Sequence, residues 1–292
     1  MRSCISLYSY WKLVSEQKAD HYQVIDTIKS LGVDAVELQI FEKSIPEGET
    51  MAAYAGKLHA YATQKGLEVP MFTVSSALYC AEPEKELVRL MSLVDIAGDL
   101  GIPFMRFDIT FKFLGNEASK SPKKIIEAVS PYIRRLADYA KEKGVVICSE
   151  NHGRVLQDSY RIEELMYAVD HENYRLLCDM GNFCGAADED CAKAVSRLLP
   201  HICFVHAKDA FTKNGMSYDP GKGYKLSRGG NYYRPTIFGH GNIPTYQILA
   251  AIKKSGFDGF VSLEFEGMED TAMAVEIGAE NLKRMLCDLS GK

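Results

Sequence analysis

A repeated unit constrains the fold more than any other feature: a helical segment ends at a glycine, and a short apolar segment follows. The unit recurs at Gly32, Gly66, Gly101, Gly144 and Gly256. Glycine directly after a helix is a common C-terminal stop, and short apolar segments rich in β-branched residues are typical of buried strands. Counted along the whole chain, the pattern gives eight strands, each followed by a helix. Such alternation predicts an α/β fold, a (β/α)8 TIM barrel.

The predicted elements cover the chain without a linker. The strands span residues 4–8, 35–39, 67–74 and 104–108, and four further strands end at Glu150, Asp179, near His206 and at Glu264. The helices span about 20–31, 50–65, 84–100, 122–143, 159–169, 188–198, 244–254 and 271–289. A doubly wound open sheet is the alternative, but no glycine-rich phosphate loop follows the first strand. Residues 1–292 are therefore predicted to form a single domain.

One connection is longer than the others. Residues 209–243 follow the seventh strand, show no clear periodicity and are rich in glycine, tyrosine, lysine and arginine. Connections of this length are usually functional. Because the segment leaves the C-terminal end of a strand, it is predicted to lie over the barrel mouth, either as a lid or as an interface with a neighbouring subunit.

Composition excludes several classes of protein. A formal net charge of −5 over 292 residues argues against nucleic-acid binding, which needs a basic face. The eight cysteines form no CxxC motif, and three of them lie inside apolar strands, so they predict neither zinc fingers nor disulfides. No signal peptide and no apolar run of membrane-spanning length is apparent. These features predict a cytoplasmic protein without a membrane partner.

Four successive strands end in residues that bind metal ions. Glu150, Asp179, His206 and Glu264 each follow an apolar run. The C-terminal strand ends of a barrel converge on one face, where barrel enzymes carry their active sites. Three carboxylates and one imidazole suit a single divalent ion, Mn²⁺, Mg²⁺, Co²⁺ or Zn²⁺, with positions left for substrate oxygens.

The same motifs resemble a known family. The sequence reads SENHG at 149–153, LLCDMGN at 176–182, FVHAKD at 204–209 and VSLEFEG at 261–267, with VDAVELQ at 33–39. In this order the motifs resemble the xylose-isomerase-like superfamily of sugar-phosphate isomerases and epimerases. The resemblance implies a (β/α)8 barrel with Glu150, Asp179, His206 and Glu264 as metal ligands. It also implies a carbohydrate substrate and a homo-oligomer.

The resemblance implies a reaction class but not a substrate. In ketose 3-epimerases of this group, the two ligand glutamates move a proton on opposite faces of the sugar, which assigns that role here to Glu150 and Glu264. A divalent ion on the substrate carbonyl would acidify the adjacent C–H bond and stabilise an enediolate. The expected activity is that of a sugar isomerase or epimerase, and the sequence does not decide between the two.

Several other residues are candidates for contact with substrate. His152 lies two positions beyond Glu150, so on an extended strand it points to the same side and would act as a base or bind a hydroxyl. Asn182 stands where several sugar epimerases carry a histidine, and its amide would bind a hydroxyl. Lys208 alternates to the side of His206, where it would bind substrate or form a salt bridge.

Two further candidates come from less regular positions. His240 lies between glycines near the end of the long connection and would reach the substrate or remain exposed. Glu37 occupies an inward position on the second strand. It is predicted to contact substrate or to join Arg106 and Asp108 in a charge network beneath the site.

Three other functions are alternatives to this activity. The same barrel would serve a lyase, such as a C-glycoside deglycosidase subunit, with His152 as the base and a small partner subunit. A carbohydrate-binding protein without catalysis is a further alternative. Endonuclease-IV-type DNA repair is disfavoured because it needs three metal ions, more histidine ligands and a basic groove.

Overall fold

The predicted barrel is present. The computed structural model describes residues 1–114, 121–216 and 218–291. The barrel strands are β1 (Arg2–Ser6), β2 (Ala35–Gln39), β3 (Met71–Thr73), β4 (Phe104–Phe107), β5 (Val146–Glu150), β6 (Tyr174–Asp179), β7 (Ile202–Ala207) and β11 (Phe260–Leu263). These eight parallel strands close in the order β1-β11-β7-β6-β5-β4-β3-β2.

Helices surround the strands and match the eight predicted segments to within a few residues. They are α1 (Trp11–Ser15), α2 (His21–Ser30), α3 (Met51–Gln64), α4 (Pro83–Asp99), α5 (Pro122–Glu142), α6 (Ser159–Val169), α7 (Asn182–Ala187), α8 (Cys191–Leu198), α9 (Thr245–Lys254) and α10 (Thr271–Leu289). The short helices α1 and α7 were not predicted. Within the described ranges, no helix has the length and apolar character needed to cross a membrane.

The helix-stopping glycines adopt the conformation that the repeated unit requires. All five have positive φ, with Gly66 at 73° and Gly144 at 70°. L-residues with a side chain rarely adopt this conformation, whereas glycine adopts it freely. Each of these five glycines therefore ends the helix before it and turns the chain toward the next strand.

Two predicted strands are displaced. The first was predicted over residues 4–8, but β1 ends at Ser6 and residues Leu7–Tyr10 form a 3₁₀ turn, which the Ser6 side chain caps at the Tyr8 amide. The third was predicted over residues 67–74, but β3 begins only at Met71. Pro70 precedes it and has no N–H for the strand ladder.

The barrel interior changes from apolar to polar over two residues along each strand. A lower layer of buried side chains consists of Cys4, Ala35, Met71, Cys148, Leu177, Phe204 and Phe260. Side chains alternate along a strand, so residues two positions further on face the same interior. Those residues are Ser6, Glu37, Thr73, Glu150, Asp179, His206 and Ser262, and all are buried. The apolar layer thus forms the floor beneath a polar layer at the barrel mouth.

Residues 209–243 contain a second sheet, although the sequence showed no clear periodicity there. Its antiparallel strands are β8 (Asp209–Lys213), β9 (Lys225–Leu226) and β10 (Tyr232–Thr236), paired in the order β8-β10-β9. We call these three strands the inserted sheet. Outer positions of β8 and β9 are exposed, which removes the apolar alternation that would have predicted strands.

Several contacts hold the inserted sheet against the barrel. Arg228 binds the Asp158 carboxylate, and its backbone N–H donates to the Ala186 carbonyl at 2.8 Å. The Arg154 guanidinium donates to the Leu226 carbonyl at 2.7 Å. The sheet is therefore attached to the connections that follow β5 and β6.

Candidate active site

The four predicted metal-binding residues come together at the barrel mouth. Glu150, Asp179, His206 and Glu264 are all buried, and each offers a ligand atom within 4.8 Å of the other three. His206 Nδ1 lies 3.4 Å from Glu264 Oε2 and 3.7 Å from Glu150 Oε1. We call these four residues the donor cluster.

Glu37 fixes the orientation of His206. The His206 Nε2 atom lies 3.0 Å from Glu37 Oε2, and the carboxylate also accepts hydrogen bonds from Thr73 Oγ1 at 2.5 Å and Ser262 Oγ at 2.8 Å. An ionised carboxylate only accepts, so Nε2 carries the proton and Nδ1 faces the cluster. Glu37 is fully buried, which fits the second of its two predicted roles, a place in the polar network beneath the site, and not contact with substrate.

An unpaired nitrogen tests whether a cation fits the donor cluster. His206 Nδ1 is buried and lacks a hydrogen-bond partner, whereas the buried Asp179 Oδ2 and Glu264 Oε2 are ion-paired with Lys208. Buried polar atoms are normally paired, so an unpaired imidazole nitrogen beside three carboxylates points to an ion. One nitrogen and several carboxylate oxygens suit a divalent metal with a borderline or hard preference. The residues therefore fit a divalent ion.

Arg106 balances the charge of Glu150. Its Nη2 atom lies 2.7 Å from Glu150 Oε2, and both side chains are buried. Burial opposes ionisation of Glu150, but the Arg106 guanidinium and His206 together outweigh it and hold the pKa of Glu150 well below its usual range. Glu150 therefore remains a carboxylate, the form that binds a metal or accepts a proton.

Lys208 supplies a second cation at the cluster. Its Nζ atom lies 2.6 Å from Glu264 Oε2 and 2.9 Å from Asp179 Oδ2. Burial would raise the pKa of Glu264, but Lys208 and His206 together hold that pKa well below its usual range. The predicted salt bridge of Lys208 is thus present, and its ammonium pairs with one carboxylate oxygen of Asp179 and one of Glu264.

Backbone and amide groups hold Asp179. Its Oδ1 atom accepts from the Gly181 N–H at 2.7 Å and the Asn182 N–H at 3.0 Å, while Asn151 bonds its backbone in both directions. Burial raises the pKa of Asp179 to about 7, although the Lys208 ammonium opposes the rise. Asn151 thus fixes the backbone at the end of β6.

A cavity of about 290 Å³ opens above the donor cluster. It is lined by residues from the barrel loops and from the inserted sheet: Tyr8, His152, Gly153, Arg154, Gln157, Gly181, Asn182, Lys208, Ala210, Lys225, Tyr233, Pro235 and Glu266. The lining is mostly polar, so a ligand in the cavity would be held by hydrogen bonds more than by apolar contact. A larger depression of about 640 Å³ lies beside α1 and α2, away from the donor cluster.

The predicted substrate contacts divide into two groups. His152, Asn182 and Lys208 line the cavity. Asn182 also donates from Nδ2 to Glu150 Oε1 at 2.9 Å, so it links the cavity to the cluster. His240 is exposed and does not line the cavity. Its connection turns outward because Asp209 binds the N–H groups of Gly239 and Gly241.

Sequence reasoning missed part of the cavity wall. Lys225, Tyr233 and Pro235 come from the inserted sheet, and Arg154 comes from the loop after β5. The close fit of Tyr233 depends on Gly185, where a Cβ atom would lie 2.9 Å from the tyrosine ring. The sequence gives no sign of this contact, because Gly185 and Tyr233 are far apart in the chain and meet only in the folded structure.

A curated relative matches part of the chain. Inosose dehydratase of Lacticaseibacillus casei is 30% identical over 156 residues, which cover 51% of this chain and 49% of that protein. The chain thus matches about half the length of this relative.

Solved structures share the fold over nearly the whole chain. The IOLI protein, solved with a zinc atom, has a TM-score of 0.74 and 16% identity and covers 99% of this chain and 98% of its own. D-Psicose 3-epimerase from Clostridium cellulolyticum H10, solved with D-tagatose, has a TM-score of 0.71 and 17% identity. That match covers 97% of this chain and 98% of the epimerase.

The family model described as the xylose isomerase-like TIM barrel matches residues 25–285, which extend from α2 to α10. This range contains β2 to β11, all four donors and the whole inserted sheet. Together with the closed eight-stranded barrel, the match shows that the chain belongs to the xylose isomerase-like TIM barrel family.

Proposed function

We propose that the protein is a divalent-metal-dependent isomerase or epimerase of a sugar or sugar derivative. The observation that carries the proposal is the donor cluster, four buried ligand residues within 4.8 Å of one another beneath a polar cavity. The family match and the relatives, which include an epimerase and a dehydratase, support an enzyme of sugar metabolism.

Glu150, Asp179, His206 and Glu264 would hold the ion. When bound, the ion would polarise a substrate carbonyl and acidify the neighbouring C–H bond. Glu150 and Glu264 would carry the proton, since both are held as carboxylates and either can act as a general base. His152, Asn182 and Lys208 would bind the substrate hydroxyls from the cavity wall.

A second candidate is elimination of water from a polyhydroxylated ketone. The partial match to inosose dehydratase favours it, and the same proton abstraction next to a carbonyl would begin the reaction. His152 would then take up that proton and return it to the leaving hydroxyl, which departs as water. The two candidates share the loss of the first proton and differ only in the later steps.

A substrate panel in deuterated water tests both candidates. Ketoses, aldoses and inososes are incubated with the Mn²⁺-loaded protein and followed by NMR. Epimerisation or isomerisation predicts deuterium at one carbon of a product isomeric with the substrate, whereas dehydration predicts a product lighter by one water. If no substrate exchanges deuterium or is converted, the enzymatic proposal fails.

Glu150→Gln and Glu266→Gln form a matched pair for this assay. Glu150 belongs to the donor cluster, while Glu266 lies outside it on the cavity wall, 3.6 Å from the Lys208 ammonium. Loss of one metal ion per chain and of turnover is expected for Glu150→Gln, and retention of the metal for Glu266→Gln. Unchanged metal content in Glu150→Gln would remove Glu150 from the proposed ligand set.

A further inference from the structure

We propose that Asp108 is a positioning residue that fixes His152 as the tautomer protonated on Nδ1, with an unprotonated Nε2 presented to the cavity. The tautomer is determined by the contacts around the ring alone. Its importance for turnover rests on the function proposed above, in which His152 contacts the substrate.

The main contact is between the ring and a carboxylate. His152 Nδ1 lies 3.0 Å from Asp108 Oδ1. Asp108 is buried, and its Oδ1 atom accepts a hydrogen bond from Arg106 Nη2 at 2.5 Å, as a carboxylate oxygen does. A lone pair on Nδ1 would face the lone pairs of Oδ1 without a proton between them. Nδ1 must therefore carry the proton.

Arg106 is the competing partner of the ring. Its Nη2 atom donates to Asp108 Oδ1 at 2.5 Å and lies 3.2 Å from His152 Nδ1. Asp108 Oδ1 is nearer to Nδ1, at 3.0 Å. A proton on Nδ1 satisfies Oδ1, whereas a lone pair on Nδ1 would leave two acceptors facing each other, so the carboxylate favours the protonated Nδ1.

The backbone brings the two side chains together. Gly153 has φ of 81°, and a Cβ atom there would lie 2.5 Å from the Thr110 carbonyl oxygen. Glycine therefore allows the loop after β5 to lie directly against the loop after β4. Phe111 from that second loop contacts the His152 ring edge-on, with centroids 5.2 Å apart. The ring is thus held at Nδ1 and on one side.

The consequence concerns the opposite nitrogen. The hydrogen bond at one ring nitrogen determines which form the other takes. With Nδ1 protonated and directed at Asp108, Nε2 is left as an acceptor, and the side chain is 37% exposed toward the cavity that it lines. His152 can then accept a proton or a hydrogen bond from a substrate hydroxyl, which the other neutral tautomer cannot do at Nε2.

Nitrogen-15 NMR of histidine-labelled, Mg²⁺-loaded protein tests the tautomer without any substrate. The His152 signal is assigned by its absence in His152→Gln, and spectra are recorded at a pH where the ring is neutral. The wild type is expected to show the Nδ1-protonated form, and Asp108→Ala to shift the ring to the Nε2-protonated form or to a mixture. An Nε2-protonated ring in the wild type, or an unchanged ring in Asp108→Ala, overturns the proposal.

Asp108→Asn is the conservative control for Asp108→Ala, because it keeps the size of the side chain and one oxygen acceptor. Arg106 still requires an acceptor at the Oδ1 position, so the amide oxygen should occupy it and keep Nδ1 protonated. The tautomer should therefore survive in Asp108→Asn and not in Asp108→Ala, with both checked for folding by thermal melting. Loss of the tautomer in a folded Asp108→Asn would contradict the argument.

Kinetics separates this inference from the function on which it rests. With a substrate from the panel, kcat of Asp108→Ala should fall about 10²-fold with little change in KM, the size expected for a misplaced acid or base. Asp108→Asn should recover most of the loss. If the wild type converts nothing, the proposed function fails while the NMR result still decides the role of Asp108. Normal kcat in Asp108→Ala with an altered tautomer would refute the link to catalysis.

Discussion

Among single residues, Glu37 has the clearest consequence for the donor cluster. Its carboxylate accepts the hydrogen bond from His206 Nε2 and thereby directs Nδ1 to the other donors. Carboxylates that orient a ligand histidine typically contribute 10- to 100-fold to metal affinity. Glu37→Gln should therefore weaken Mn²⁺ binding by roughly one to two orders of magnitude, measured by calorimetric titration.

Ser262→Ala is the matched control for Glu37→Gln. It removes one hydrogen bond from the Glu37 carboxylate without changing the group that receives the His206 proton. A smaller loss of affinity is expected. Equal effects of the two substitutions would mean that packing, rather than the carboxylate, orients the histidine.

Lys208 should oppose the metal. Its ammonium contacts the Asp179 and Glu264 oxygens at 2.9 and 2.6 Å, and a divalent ion at these oxygens would be repelled by it. Lys208→Met should bind Mn²⁺ several-fold more tightly, measured by electron paramagnetic resonance of the free ion. Weaker binding would show instead that the ammonium organises the carboxylates for the ion.

The sequence located the donors but not the depth at which each residue lies. Alternation along a strand predicts the side that a residue faces, which placed Glu37, Glu150 and His206 in the interior. The relative depth depends on the stagger of neighbouring strands around the barrel, and this is a property of the closed sheet. For this reason the sequence left Glu37 between contact with substrate and a network beneath the site, and the structure pairs it with His206.

Among the elements, the inserted sheet depends on Arg228. The side chain binds Asp158 and the Arg154 carbonyl, which joins the sheet to the loop after β5. Arg228→Ala should increase the rate of limited proteolysis within residues 213–232 and raise KM. Arg197→Ala is a matched control, because Arg197 is also 34% exposed and paired with a glutamate, but lies on α8. Equal proteolysis of the two variants would contradict this role.

Helices α2 and α3 are joined by a buried histidine. His21 Nδ1 lies 2.9 Å from the Tyr54 hydroxyl, and burial lowers the pKa of His21 below its usual range. The unfolded chain therefore takes up the proton first as the pH falls, so this group destabilises the fold below about pH 6.5. The free energy of unfolding should fall less steeply from pH 7 to 5 in His21→Gln than in the wild type. Parallel curves would exclude His21 as the cause.

The barrel helices were predictable because local signals agree with the fold. Helices α4 and α5 begin with proline, and α3, α4 and α5 are each followed by glycine. These local signals mark the helix ends, and tertiary packing does not move them. The inserted sheet was not predictable. Its strands pair only with one another, and the outer positions of β8 and β9 are exposed. The alternation of apolar and polar residues that predicts a strand is therefore missing there.

At the scale of the whole molecule, the donor cluster should couple metal binding to stability. Three carboxylates lie within 4.8 Å of one another and repel each other, and a bound cation would relieve the repulsion. A ligand that binds only the folded chain at about 100 times its Kd stabilises it by about 2.7 kcal/mol. Mn²⁺ should therefore raise Tm by roughly 5 °C over the chelated protein in calorimetry. No shift would argue against a metal centre.

The strands of the barrel and the inserted sheet divide the site between two independent parts of the chain. The floor and the donors belong to barrel strands, each of which is paired with a neighbour on both sides. In contrast, Lys225, Tyr233 and Pro235 belong to the inserted sheet, which begins and ends at the mouth of the barrel. Because this sheet is separate from the barrel, substitutions in it should leave the register of the barrel strands unchanged. New substrate preferences can thus evolve or be engineered in residues 213–235 while the chemistry at the base of the cavity is inherited unchanged.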